Sequence, residues 1–281
     1  MDPLRPVFDL HTHSTASDGT LSPNELVNNA HAQGVQVLAL TDHDTTAGLA
    51  EAQATASQRN MEFVPSIELS ATWRDRLLHI VGLNIDPESP SLKKGIAGSQ
   101  ATREWRAEEM GRRLAQCGIQ EAYEGARDLA GDGTITRTHF ARFLINQGYS
   151  ANVREVFKHY LVKGKPGYVT VSWASLEEAI SWIDEAGGVP VLAHPMRYRL
   201  TDSWLRRVLA AFKSAGGIGI EVVCGNSTPT DIAKSAGHAR RYRLMGSVGS
   251  DYHGPDNAWI KLGKLAELPA GIDPVWQTWR R

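Results

Sequence analysis

The chain has 281 residues, 42% hydrophobic and 22% charged, the make-up of a soluble globular protein long enough to bury a core; collagen, a disulfide scaffold and a disordered chain are excluded. Lys and Arg total 30 against 31 Asp and Glu, so the net charge of −1 gives no general pull toward polyanions, and any grip on one must come from a local patch. The two cysteines, Cys117 and Cys224, have no paired spacing and fit a reducing compartment. The run from Met1 to Pro6 lacks the charged-then-apolar pattern of a leader, and no apolar stretch nears the ~20 residues of a membrane helix, so a cytoplasmic location is expected.

Short apolar runs alternate with helical patterns along the chain. Val7 to Leu10 reads as a strand. Ser22, Pro23 and Glu25 form a capping box that opens a helix, and Gly34 supplies its left-handed stop. Val35 to Leu40 is a strand, Ala47 to Ser57 a helix, and Phe63 to Leu69 and Leu77 to Leu83 are strands. From about Ser91 to Leu161 the patterns are helical only, as in Glu104 to Leu114, His139 to Asn146 and Val153 to Leu161. Alternation then resumes. A second capping box at Ser175 and Glu178 opens a helix that stops at Gly187-Gly188. The strand Val189 to Ala193, the helix Trp204 to Phe212, the strand Ile218 to Val223, the helix Ile232 to Tyr242 and a strand leading to Val248 follow. This order predicts a parallel α/β sheet, open or closed into a barrel. At ~150 residues per domain the length fits one domain with an insertion: residues 1–90 and 166–281 as the α/β unit, and 91–165 as a helical cap.

Histidines and acids gather in six places: Asp9-Leu-His-Thr-His13 with Asp18, Thr41-Asp-His-Asp44, Glu68, His79, His194-Pro195, and Ser250-Asp-Tyr-His253. All but His79 are expected just past strand carboxyl ends, where parallel α/β folds place their sites. His11 and His13, two apart in an extended segment, can face one ion. Read singly, His79 on its apolar strand, like His31, His159 and His238, is a structural histidine. Together, so many ionisable groups would be prohibitive to bury unpaired, whereas a polynuclear metal site satisfies them all.

Carried by Asp9-Leu-His-Thr-His-Ser14, Thr41-Asp-His-Asp44, Glu68, His79, His194-Pro195 and Ser250-Asp-Tyr-His253, the chain resembles the polymerase-and-histidinol-phosphatase (PHP) family of metal-dependent phosphoesterases. Thr136 to Leu144 and Lys163 to Tyr168 carry a likeness to its bacterial 3′,5′-nucleoside bisphosphate phosphatases, which overlap with 5′-to-3′ exoribonucleases. The resemblance implies a distorted (β/α)₇ TIM-like barrel and three divalent metal ions. His11, His13, Asp251 and a bridging Glu68 would bind the first; Asp18, His43 and His253 the second; Glu68, His79 and His194 the third. His79 thereby changes from structural residue to ligand. Many members carry His where this chain has Asp18, and a carboxylate there hardens the second site toward Mn²⁺ or Mg²⁺. Mn²⁺ is the first expectation, with Mg²⁺, Zn²⁺ or Fe²⁺ as alternatives.

The expected reaction removes the 3′-phosphate of 3′,5′-nucleoside bisphosphates by in-line attack of water, without a phosphoenzyme, with Asp44 or water protonating the leaving oxygen. Arg137, Lys163, Lys165 and Arg197, with Arg142, are candidates for gripping phosphate. Alternatives are trimming of short 5′-phosphorylated RNA, an amidohydrolase, which the lack of a lysine in the clusters disfavours, and a non-catalytic metal-binding module. The near-zero net charge favours mononucleotides or short strands over long duplexes. No membrane or obligate protein partner is expected.

Overall fold

Each element forms where its residues dictate, as the computed structural model of residues 6–256 and 258–280 shows. The expectation about the first five residues lies outside the described region. β1 (Phe8–Asp9) leads to α1 (Pro23–Ala32), where Ser22 Oγ accepts from Glu25 N at 3.2 Å and Ser22 N donates to Glu25 at 2.8 Å. Leu26, Val27 and Ala30 form the buried face of that helix. β2 (Val37–Leu40), α2 (Leu49–Gln58) and β3 (Glu62–Pro65) complete a parallel three-stranded sheet in the order β1-β2-β3.

A mixed sheet follows, with β4 (Ile67–Trp73), β5 (Arg76–Leu83), β6 (Ala174–Ser175), β7 (Val189–Leu192), β8 (Gly219–Cys224) and β9 (Met245–Gly249) in the order β6-β4-β5-β7-β8-β9. This corrects the all-parallel expectation, because β5 runs antiparallel to both β4 and β7. The cause is local. Trp73 pairs with Arg76 across a two-residue turn whose Arg74 and Asp75 both have positive φ, 47° and 60°, and such a turn can only reverse the chain. The single strand expected over Phe63 to Leu69 is also broken at Ser66, into β3 and β4.

Backbone bonds tie the two sheets together on both sides. Leu10 N donates to Val248 O at 3.0 Å and Asp251 N to His11 O at 2.7 Å; across the other seam, Asp44 N donates to Glu68 O at 2.9 Å and Glu68 N to Asp42 O at 3.3 Å. α7 (Leu176–Glu185), α8 (Asp202–Ser214) and α9 (Pro229–Tyr242) pack around the strands with α1 and α2 to bury one large apolar core.

Between β5 and β6 the described chain is helical: α3 (Pro90–Gln116), α4 (Ala122–Ala130), α5 (Arg137–Asn146) and α6 (Val153–Val156), the last running on as a π turn over Phe157–Leu161. These helices enclose a second apolar cluster that includes Met110, Leu114, Phe140 and Leu144. α3 joins the two cores. At Gly95 a Cβ would lie 2.4 Å from the Trp182 ring, so only glycine lets α3 lie this close to α7. No helix among the described residues is long and apolar enough to cross a membrane.

Candidate metal centre

The nine residues expected as ligands converge on one end of the sheets. His11 and His13 follow β1, and their Nε2 atoms lie 3.1 Å apart. Each faces the same two acids: His11 Nε2 is 3.3 Å from Glu68 and 3.4 Å from Asp251, and His13 Nε2 is 3.3 Å and 3.2 Å from the same pair. Asp18 lies 3.2 Å from His253 Nε2 and 3.9 Å from His43 Nε2. Glu68 is the hub, with His79 Nδ1 at 2.9 Å, His194 Nε2 at 3.1 Å and His43 Nδ1 at 2.9 Å.

The directions of the strands explain two placements. Glu68 was expected at a strand end but is the second residue of β4, and the seam bonds around it turn its side chain in among the imidazoles. His79 is early in β5, and because β5 is reversed, its start lies beside the exit of β7: Ala193 N donates to His79 O at 3.1 Å. Gly249 makes the approach of β9 possible, since a Cβ there would sit 2.3 Å from that of His11. Asp44, His194 and Asp251 all hold positive φ, at 50°, 29° and 56°, a conformation that costs about 1–3 kcal/mol each and clusters at functional sites.

The electrostatics are those of a mutually neutralising cluster. Burial alone would raise Glu68, yet the imidazoles of His11, His43 and His79 hold it well below the usual carboxylate range. Burial would likewise raise Asp18 and Asp251, and His253 with its fellow imidazoles keeps both low. His13 is pushed down to about 3, by burial first and then by His253, whereas Asp18 and Asp251 overcome burial to lift His253 to about 9.

Five buried atoms of this cluster make no well-aligned hydrogen bond: His13 Nδ1, Asp18 Oδ1, His194 Nδ1, and His43 Nδ1 and Glu68 Oε2, although these last two stand 2.9 Å apart. Buried polar atoms are seldom left this way, and so many in one place call for cations. Three groups, His13 with Asp18, His43 and His253, His11 with His13 and Glu68, and His43 with Glu68 and His79, each bring their donor atoms within 4.8 Å of one another. A sulfur-free set of imidazoles and carboxylates suits Mn²⁺, Fe²⁺ or Zn²⁺. The residues present fit divalent ions.

Of the acids behind this cluster, Asp9 and Asp42 stand in motifs noted in the sequence but were given no role there, and Glu221 was not singled out. Glu221 in β8 is 2% exposed; it lies 2.6 Å from His11 Nδ1 and accepts from His194 N at 2.5 Å. Its only signal is a carboxylate inside the apolar run Ile218 to Val223. Asp42 accepts from Ser14 N at 2.8 Å and from the Ser14 and Ser17 hydroxyls, each at 2.6 Å, while Asp9 accepts from Ser250 N at 2.8 Å and Gly263 N at 3.0 Å. Burial raises both carboxyls to about 6.

The cluster lines a cavity of about 350 Å³ together with Arg103, Arg106, Arg137, Trp173 and Tyr198, whose hydroxyl accepts from His79 N at 2.9 Å. Arg197 lines it too and pairs with Asp251. Asp44 lies behind this surface. Its carboxylate is fully buried, accepting from Ser70 N and Arg103 Nε, each at 2.8 Å, so it anchors Arg103 and presents no oxygen to the cavity for the proton transfer expected of it. Lys163 and Lys165 stand exposed in the turn after Leu161, away from the lining, and Arg142 donates to Asp18 O at 2.8 Å. Arg103 and Arg106 were missed because nothing in the pattern of α3 separates them from its surface arginines.

The family model of the PHP domain matches residues 9–223. The chain is 46% identical to a 5′-3′ exoribonuclease of Haemophilus influenzae, over 96% of this chain and 98% of that one, and 44% identical to a 3′,5′-nucleoside bisphosphate phosphatase of Chromobacterium violaceum, over 96% and 95%. Its structure is similar to one described as an amidohydrolase from Chromobacterium violaceum with bound sulfate and no metal, with a TM-score of 0.92, 44% identity and 96% and 94% coverage. It is also similar to a metal-dependent phosphoesterase from Bifidobacterium adolescentis, with a TM-score of 0.81, 28% identity and 99% and 96% coverage.

Proposed function

The chain belongs to the PHP domain family, and from that premise we propose that it is a metal-dependent phosphoesterase that hydrolyses the 3′-phosphate of 3′,5′-nucleoside bisphosphates to give 5′-nucleotides. The observation that carries this reading is the convergence of nine imidazole and carboxylate side chains on one cavity, with five of their atoms left without a well-aligned hydrogen bond. We assign the ligands as the resemblance implies: His11, His13, Glu68 and Asp251 to a first ion, Asp18, His43 and His253 to a second, and Glu68, His79 and His194 to a third, with Mn²⁺ the preferred metal. Such ions supply Lewis acidity toward phosphoryl oxygens and lower the pKa of water.

The chain's own residues orient and balance that centre. Glu221 accepts a hydrogen bond from His11 Nδ1–H and so fixes the tautomer that turns a lone pair on Nε2 toward Glu68 and Asp251. Arg197, beside Asp251, is placed to hold a phosphoryl oxygen as charge builds on it. Residues 91–165 act as a cap over the cavity, coupled to the centre where Thr136 and Thr138 donate to Asp18 at 3.2 Å and 3.0 Å. We read the two sheets, tied at both seams, as the distorted barrel expected from sequence.

The test is release of inorganic phosphate from adenosine 3′,5′-bisphosphate by protein stripped with a chelator and then supplied with Mn²⁺, Mg²⁺ or Zn²⁺. AMP and phosphate should form only after a metal is restored, and best with Mn²⁺. Full turnover by the stripped protein would overturn the reading. A second activity, stepwise 5′-to-3′ removal of nucleotides from short 5′-phosphorylated RNA, is supported by the Haemophilus relative and is read as release of 5′-mononucleotides from RNA by the same stripped and metal-restored protein.

A further inference from the structure

Outside the cavity, where the β4–β5 hairpin meets the start of α8, arginines and tryptophans interleave on the surface. Trp73 pairs with Arg76 across the turn, and Trp204 stands in the first turn of α8. The Arg74 guanidinium carbon lies 5.1 Å from the Trp73 ring, and those of Arg76 and Arg207 lie 4.6 Å and 5.1 Å from the Trp204 ring. The two indoles meet edge to face, their centroids 6.3 Å apart. Two rings and three guanidinium groups therefore form one continuous block.

The block is basic in a chain whose net charge is −1. Segments 73–77 and 201–207 carry four arginines, Arg74, Arg76, Arg206 and Arg207, against two acids, Asp75 and Asp202. Asp202 is engaged by Arg206 at 3.1 Å and by His238 at 3.2 Å, while Arg74, Arg76 and Arg207 have no ion pair among the described residues. An acid would fix these guanidinium groups and neutralise them; a ring fixes them and leaves the charge in place. Arg74 also occupies a turn position with φ of 47°, which turn chemistry gives to Asn or Gly, and its exposed side chain buries nothing in return. Flat surfaces interleaved with fixed cations match single-stranded nucleic acid, whose bases stack on indole and guanidinium planes while its phosphates take the charges.

The block borders the cavity. Leu77, directly after Arg76, lines it, as do His79 on the same strand and Tyr198, four residues before α8. We propose that the block is a docking track for single-stranded RNA, taking the nucleotides on the 3′ side of the ester that lies against the histidine–acid cluster. The track rests on the RNA-trimming activity read above. It separates the two substrate classes, because a nucleoside bisphosphate ends at that ester and has nothing to lay on the block.

The experiment uses the full chain as wild type, as Arg74→Gln/Arg76→Gln/Arg207→Gln and as Trp204→Leu, each with its melting temperature. Fluorescence anisotropy follows binding of a 5′-phosphorylated, 3′-fluorescein-labelled octaribonucleotide to chelator-stripped protein across a salt series. Turnover of that RNA and of adenosine 3′,5′-bisphosphate is measured with Mn²⁺ restored. The triple variant should bind RNA at least about 10-fold more weakly at low salt, and its slope of log Kd against log salt should be shallower by about two, the value for three lost contacts to a single strand. Trp204→Leu should weaken RNA binding at least about fivefold with little change in slope. In both variants kcat/KM for the RNA should fall chiefly through KM, with the bisphosphate within about twofold of wild type. The track is overturned if wild type binds no RNA, if the triple variant binds and trims RNA as wild type does, or if both substrates fall equally. Loss of binding to phosphatidylglycerol vesicles with RNA binding intact would assign the block to a membrane surface and equally overturn it. The two readings fail separately: wild type that binds RNA through the block yet cleaves no phosphate ester sinks only the hydrolytic assignment.

Discussion

Glu221 controls two of the assigned ligands at once, through the ring of His11 and the backbone of His194. It touches neither cavity nor substrate, so its contribution lies in the order of the groups that do. Supporting carboxylates of this kind typically change metal affinity by 10–100-fold. Glu221→Gln, which keeps shape and one acceptor, should weaken Mn²⁺ binding within that range while leaving the far-ultraviolet circular dichroism spectrum intact. Calorimetric titration of the stripped protein is the direct check, and unaltered Mn²⁺ affinity would show that His11 needs no such partner. Asp44 illustrates how position decides role at this scale. Sequence places it next to His43 and so near the chemistry, but its positive φ turns the carboxylate toward Arg103.

Among the elements, α5 links the cap to the centre, and its N-terminus is built from an unusual capping box. Thr136 Oγ1 accepts from Thr138 N at 3.1 Å, and Thr136 N donates to His139 Nδ1, also at 3.1 Å, so the imidazole must stay unprotonated to accept. Burial pushes His139 down to about 4. Because the unfolded chain takes up a proton near pH 6.5 and the folded one does not until about pH 4, stability is intact above pH 6.5 and is lost progressively as pH falls between those values, by at most about 3 kcal/mol. In His139→Gln the acceptor remains and nothing titrates. Its melting temperature should therefore fall less than that of wild type between pH 7 and pH 5; equal falls in the two proteins would dismiss His139 as the source. The β4–β5 hairpin shows the other kind of local control, since two residues with positive φ reverse one strand and so bring His79 into the centre.

Over the whole molecule, the assigned ligands come from both sheets: His11, His13 and His43 follow strands of the first, while Glu68, His79, His194, Asp251 and His253 belong to or follow strands of the second. Ions bound there would therefore cross-link the sheets and stabilise the folded state by mass action, about 2.7 kcal/mol at a free concentration 100 times Kd. Chelation should lower the melting temperature by several degrees, and Mn²⁺ should restore it in proportion to the logarithm of its concentration; a melting temperature indifferent to metal would refute the cross-link. The helices, the caps at Ser22 and Ser175 and most strands were legible in the sequence, because capping boxes, glycine stops and apolar runs act over a few residues. The nine residues that converge on the cavity were singled out in the sequence too, most of them because acids and imidazoles at expected strand ends stand out against apolar neighbours, and His79 because it matches a family pattern. What the sequence by itself determined was this local grammar and the chemical character of the centre. Only the tertiary structure decided the direction of β5, the retreat of Asp44, the support from Glu221 and the meeting of Arg106 with Arg137. The first turns on the backbone conformation of Arg74 and Asp75, which their side chains do not announce; the other three depend on contacts between residues far apart in the chain, and burial, which makes a charge consequential, has no counterpart in the order of residues.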